Sequence, residues 1–234
     1  MTAAALRTAP ETVIKVAGEA FLADCSGALW WDAAQTLIVS DLHLEKGSSF
    51  AARGILLPPY DTAATLAMLD TALRRYRPRR VIALGDSFHD GGALGRIADS
   101  DRSSLARLQA GLTWVWIEGN HDGALSGVLP GDHMVRLSES GLVFVHEPGR
   151  GSSPGEIAGH FHPCAKVRGR GRGIRRRAYA SDGDRLVMPA FGAYTGGLNV
   201  RDGAIEALFP HGFSAFMLGD ERIYTFRQAH CLPD

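Results

Sequence analysis

An α/β fold is predicted by three observations. Short apolar runs with strand character recur along the 234 residues, segments of helical periodicity lie between them, and the early runs end on polar motifs rich in Asp, His or Asn. Residues 12–234 are expected to form one domain behind a flexible leader over 1–11, which lacks the charged head and apolar stretch of a secretory signal. Thr12–Val16 is the first strand candidate. Leu37-Ile38-Val39, Val81-Ile82-Ala83-Leu84, Trp114-Val115-Trp116-Ile117, Val143-Phe144-Val145 and Ile157-Ala158 follow. Residues 60–76, entered through Pro58-Pro59, put Leu66, Leu69 and Leu73 on one helical face. A shorter helix is expected over 100–110. After Gly183 the pattern turns to strands at 185–188, 198–200, 204–208 and 213–226, the last broken at Gly219-Asp220 as a hairpin.

Five polar motifs follow the middle runs: Asp41-Leu42-His43, Gly85-Asp86, Gly119-Asn120-His121-Asp122, His146 and Gly159-His160-Phe161-His162-Pro163. A residue just past a buried strand has a rigid base and faces a crevice, so the motifs converge if the strands lie side by side. Asp41, His43, Asp86, Asn120, His146, His160 and His162 make seven candidate ligands, too many for one tetrahedral zinc. Two divalent ions about 3.5–4 Å apart, bridged by one carboxylate, would use them all and leave positions for water and substrate. Carboxylate, amide and imidazole donors without thiolate suit manganese, iron or zinc, and manganese is the expected ion.

In this order the motifs resemble those of the calcineurin-like metallophosphoesterase superfamily, over residues 39–163. More narrowly, Ser40-Asp41-Leu42-His43-Leu44-Glu45-Lys46-Gly47, Gly85-Asp86-Ser87-Phe88-His89-Asp90 and Pro189-Ala190-Phe191-Gly192-Ala193-Tyr194-Thr195-Gly196-Gly197 are similar to the bacterial PdeM-type family of ligase-associated DNA damage response endonucleases. The resemblance implies a metallophosphoesterase fold, two packed mixed β-sheets flanked by helices in an αββα sandwich. It implies that Asp41, His43 and His162 hold one ion, that Asn120, His146 and His160 hold the other, and that Asp86 bridges them. His121 would bind neither ion and would face the phosphate, with Asp122 orienting its ring. A metal-activated hydroxide would attack phosphorus in line with the leaving oxygen. The resemblance also implies work in DNA repair, in functional association with an ATP-dependent DNA ligase, a helicase and a nuclease. It leaves a homo-oligomer open.

Zero net charge, from 25 basic and 25 acidic residues, gives no global sign to a nucleic-acid interface. Locally, residues 166–177 hold seven basic side chains in twelve and no acid, starting just past His162. One reading is a phosphate-binding rim in which Arg168, Arg170 and Arg172 offer guanidinium forks to DNA. The other is a solvated loop in a protein whose basic residues are mostly arginine. The resemblance to a DNA nuclease family favours the rim. His89, three residues past Asp86, is a candidate contact to the substrate phosphate, or else caps a turn. Arg53 reads as an ordinary surface arginine, and Trp114 and Trp116 as core packing. Three widely spaced cysteines, at 25, 164 and 231, suggest neither a disulfide framework nor a thiolate site. With no apolar run of about 18 residues, they point to a cytoplasmic protein.

The expected function is therefore a metal-dependent phosphodiesterase, a DNA endonuclease in repair. A small-molecule phosphodiesterase, with no use for a basic rim, is the alternative. A non-catalytic scaffold in a repair complex is a third reading, against which every candidate ligand is present. A protein phosphatase of the superfamily would carry Gly-Asn-His-Glu where this chain has Gly119-Asn120-His121-Asp122. A lipid-precursor pyrophosphatase would carry arginine at His121.

Overall fold

A computed structural model describes residues 12–55, 57–122, 128–151, 153–169 and 171–234. The expected leader over 1–11 and Arg170 lie outside the described residues. The first sheet has seven strands, adjacent in chain order: β1 (Thr12–Val16), β2 (Glu19–Ala23), β3 (Leu29–Trp31), β4 (Thr36–Val39), β5 (Arg80–Leu84), β6 (Thr113–Ile117) and β7 (Asp132–Met134). The pairings from β1 to β4 are antiparallel and those from β4 to β7 parallel. The second sheet contains β8 (Arg136–Glu139), β9 (Leu142–Val145), β10 (Glu156–Ala158), β11 (Cys164–Gly169), β12 (Arg172–Ser181), β13 (Leu186–Val187), β14 (Ser214–Leu218) and β15 (Ile223–Arg227). Its order is β15-β14-β12-β13-β10-β9-β8, with β11 paired to β12. β10 runs parallel to both β9 and β13 and the other pairs are antiparallel, so both sheets are mixed.

Side-chain alternation divides the core into three layers. On β4, β5 and β6, Leu37, Val39, Val81, Ala83, Trp114 and Trp116 face outward to the helices. Ile38, Ile82, Leu84, Val115 and Ile117 face inward, against Phe144, Ile157, Tyr179 and Leu186 of the second sheet. Parallel strands covered on both faces read as continuous apolar runs, which is why these segments stand out in the sequence. The outer layer of the first sheet is α1 (Lys46–Ala52), α2 (Asp61–Tyr76), α3 (Ala93–Arg96) and α4 (Asp99–Gln109). α2 lays Leu66, Leu69 and Ala72 on the sheet and stops at Arg77, which turns left-handed at φ 47°. On the far side, Ala178, Ala180 and Met217 of the second sheet pack under α5 (Gly203–Glu206). The result is the αββα sandwich.

Two expected strands differ. Residues 204–208 are not a strand: Gly203–Glu206 is a helical turn opened by Asp202, whose carboxylate accepts the Ala204 N–H at 2.8 Å. Ile205, Leu208 and Phe209, spaced as one helical face, then reach the third core layer together. Residues 198–200 contribute only a single bridge, Asn199 to Cys164. The basic segment 166–177 is not a loop but largely the β11–β12 ribbon, with Lys166 opposite Arg175 and Arg168 opposite Gly173. Helices expected at 60–76 and 100–110 are found as Asp61–Tyr76 and Asp99–Gln109. Among the described residues no helix is long and apolar enough to cross a membrane.

Trp116 is fully buried on β6 and donates its indole N–H to the Pro130 carbonyl at 3.1 Å. Trp116→Ala should lower unfolding free energy by about 3–5 kcal/mol through cavity formation. Urea denaturation should show this as a lower midpoint at constant slope.

Candidate metal centre

The parallel arrangement of β4, β5 and β6 brings their C-terminal ends to one edge of the first sheet, and parallel β9 and β10 do the same in the second. Asp41, Asp86 and Asn120 follow the first three strands, and His146, His160 and His162 follow the other two. Two groups of ligand atoms meet there, each within 4.8 Å: Asp41, His43, Asp86 and His162, and Asp86, His146 and His160. Asp86 belongs to both. Asn120 joins the second group through its Oδ1, 2.8 Å from His146 Nε2. The structure thus brings together all seven sequence-predicted ligands.

The donor chemistry fits a pair of cations. His162 donates Nδ1–H to the Gly196 carbonyl at 3.1 Å, which leaves a lone pair on Nε2. That nitrogen faces Asp41 Oδ1 at 3.0 Å and His43 Nε2 at 3.3 Å. His146 likewise donates Nδ1–H to the Leu84 carbonyl at 3.0 Å. Its Nε2 faces Asp86 Oδ2 at 3.3 Å, Asn120 Oδ1 at 2.8 Å and His160 Nδ1 at 3.2 Å. Lone pairs converging in a buried site repel unless positive charge lies among them. Ligand atoms about 2.1 Å from one ion stand about 3.0–3.4 Å apart at octahedral to tetrahedral angles, close to most of these separations.

The protonation tendencies describe the same field. Burial disfavours charge on His146, yet its bond to Asp86 and the Asp41 and Asp86 charges outweigh it, raising the imidazole to about 9. A proton there occupies the place of a cation. Burial would raise Asp86, but the His146 hydrogen bond and charge and the His121 N–H hold it down to about 2. His43, desolvated and only partly supported by Asp41, falls to about 3 and stays neutral, as a ligand must.

Local backbone geometry is unusual at the site. Among the described residues ten non-glycine residues have positive φ, and five are candidate ligands: Asp41, His43, Asp86, His160 and His162. Such strain persists where surrounding contacts over-determine it. Asp41 accepts the Ser40 hydroxyl at 2.5 Å and the His160 N–H at 3.2 Å, joining the loops after β4 and β10. Two glycines permit the close approach. A Cβ on Gly119 would lie 2.1 Å from Asp86 N, and one on Gly159 1.9 Å from Ser40 Oγ.

His121 lies at the open side of the pair, its side chain 43% exposed. Its N–H donates to Asp86 Oδ1 at 2.9 Å, its Nδ1–H to the His89 carbonyl at 3.0 Å, and Nε2 points inward, 4.0 Å from Asp86 Oδ2. Asp122 does not orient this ring, contrary to expectation. Its carboxylate accepts N–H groups of Phe88 and Gly119 at 2.8 and 2.9 Å, so it ties the loops after β5 and β6 together. Burial lifts that carboxyl to about 6 against those two bonds. The His89 ring stacks on His121 at 5.6 Å, and its Nδ1 is 3.4 Å from His43 Nδ1. Desolvation, followed by the nearby Lys46, lowers its pKa.

The basic ribbon starts two residues past His162. Its root is committed internally: Arg177 donates to the Ala190 carbonyl, Arg176 pairs with Asp220, and Arg175 pairs with Asp234 and donates to Gly197. Arg168 and Arg172 are exposed and form no ion pair among the described residues. The orienting partners Ser40, Leu84, His89 and Gly196 were not foreseen, and all but Ser40 act through backbone carbonyls, which carry no residue signature.

Among curated proteins no sequence matches the chain. In solved structures it is similar to Pseudomonas putida nuclease MPE, with 26% identity and a TM-score of 0.71, covering 92% of this chain and 100% of that one. It also matches Yfce, a phosphoesterase from E. coli, at 15% identity and TM-score 0.41, over 82% of this chain and 97% of that one. The family described as calcineurin-like phosphoesterase matches residues 34–214, which include every ligand candidate, and the chain belongs to that family.

Proposed function

We propose that this metal-dependent phosphoesterase is a phosphodiesterase that cuts DNA, of the ligase-associated repair type, working in the cytoplasm. The observation that carries the reading is the pairing of a two-cluster centre, sharing Asp86, with a ribbon that starts beside His162 and presents Arg168 and Arg172 six and ten residues past it. Similarity to a nuclease at 26% identity over nearly the whole chain supports it. The free cysteines suit a reducing compartment. Association with an ATP-dependent ligase, a helicase and a nuclease belongs to the same reading.

Two divalent ions, manganese in this proposal, would supply Lewis acidity and a water ionised near neutral pH. Asp41, His43 and His162 would hold one ion, Asn120, His146 and His160 the other, and Asp86 both. His121 would act on the substrate itself. With Nδ1–H fixed on the His89 carbonyl, its Nε2 faces the cleft, where a protonated ring would offset phosphoryl charge and deliver a proton to the departing oxygen. His89, stacked on that ring, would contact the same phosphate. Arg168 and Arg172, with Arg170 between them in sequence, would track the flanking phosphates.

Asp86→Asn should remove tight binding of both ions, read as metal content after gel filtration, and abolish nicking of supercoiled plasmid in manganese. His121→Ala should keep both ions and lose about a hundredfold or more in nicking. A chromogenic diester, whose phenolate leaves without a proton, should lose less. Diester cleavage by the wild type without any nicking would move the assignment to a small-molecule phosphodiesterase. Metal retention with neither activity would favour a scaffold. Replacing Arg168 and Arg172 together by alanine should weaken DNA binding and reduce its log–log salt slope by about 1.4–1.8.

A further inference from the structure

The segment leading out of β13 is fastened to the metal centre on both sides of one exposed ring. Phe191 and Gly192 donate N–H to the carbonyls of Ser40 and Asp41 at 2.8 and 3.1 Å. Ala193 N–H donates to Thr65 Oγ1 at 3.1 Å, and the Gly196 carbonyl accepts the His162 ring N–H at 3.1 Å. Tyr194 lies two residues from Gly192 and two from Gly196, so its Cα is within about 7 Å of each. The residue is 39% exposed, and its side chain makes no hydrogen bond, ion pair or ring contact among the described residues. The phenol hydroxyl therefore has no partner within the described residues, and part of the ring is open to solvent. The root of the basic ribbon reaches the same segment, where Arg175 Nη2 donates to the Gly197 carbonyl at 2.6 Å.

We propose that Tyr194 stacks on a nucleobase next to the scissile phosphodiester. The inference rests on the DNA reading above and adds to it a contact with the base. Charged side chains can follow a phosphate backbone whatever its strandedness, whereas an aromatic face requires a base turned out of its duplex. The backbone that carries the ring is pinned to the metal ligands on both sides, so stacking has only the side chain left to order.

The test is fluorescence anisotropy with a labelled single-stranded oligonucleotide and with the same strand made abasic, in calcium to suppress cutting. The wild type should bind the base-bearing strand about tenfold more tightly than the abasic one, as expected for one stack. Tyr194→Ala should erase that ratio, and Tyr194→Trp should retain it. Tyr224→Ala should also retain it: that ring is equally exposed, at 40%, but its strand β15 lies four strand spacings, about 19 Å, from β10. A ratio that survives in Tyr194→Ala, or is absent from the wild type, overturns the stacking role and leaves the DNA reading standing. Wild type that binds neither strand overturns both.

Discussion

The Asp86 carboxylate is the constraint on which the other site contacts depend. It lies two residues past β5, which is flanked by β4 and β6, and both ligand clusters include it. One oxygen accepts the His121 N–H and the other faces His146 and His43. Serving both clusters requires a left-handed turn at φ 46° directly after the strand, and requires the loop after β6 to close onto it. Gly119 permits that closure, because any side chain would occupy the space of the Asp86 amide. Asp122 then locks the two loops by accepting from both Phe88 and Gly119. Asn120 and His121 are placed as a consequence, one toward His146 and one toward the open cleft. The buried negative charge and the inward-facing lone pairs make the site a poor core and a good cation binder.

The sequence was legible where a single residue type answers to a single local demand. The apolar runs at 81–84 and 114–117 read as strands because both faces are covered, by helices on one side and by the second sheet on the other. The ligands follow those runs within a few residues, so strand adjacency within each sheet and the packing of the two sheets bring them together. Where the outcome depends on tertiary partners, the reading failed. Residues 204–208 alternate like a strand but also fit a helical face, and the Asp202 cap together with the third core layer decides for the helix. The ribbon at 166–177 is rich in arginine and glycine, which have little strand preference, and it forms because it extends β12 from the buried sheet. Asp122 looked like a partner for the adjacent histidine, yet a buried carboxylate took two orphan backbone N–H groups instead.

The ribbon also separates arginines that hold the fold from arginines left exposed within one element. At its root, Arg177 is half-buried on the carbonyls of Ala190 and Phe191, and Arg176 holds Asp220 across to the β14–β15 turn. Those cations are consumed by the architecture. Arg168 and Arg172, further out and opposite glycines in the pairing, have no such duty. A count of basic residues therefore overstates the charge available to a ligand, and the usable part lies away from the sheet.

That division bears on how such a site discriminates among esters. Bound ions and their ligands would meet the groups common to every phosphate ester, so they would lower the barrier without choosing among substrates. Choice requires contacts beyond the reacting phosphate, and binding energy gathered there accelerates the reaction only if it also fixes the phosphorus against the nucleophile. The segment around Gly192 and Gly196 is suited to that coupling, because it is hydrogen-bonded to the backbone of Asp41 and the ring of His162. A polymer held at this rim is held relative to the ligands themselves. A small diester reaches the same ions without that hold, and the difference between the two substrates measures how much of the catalysis comes from the rim.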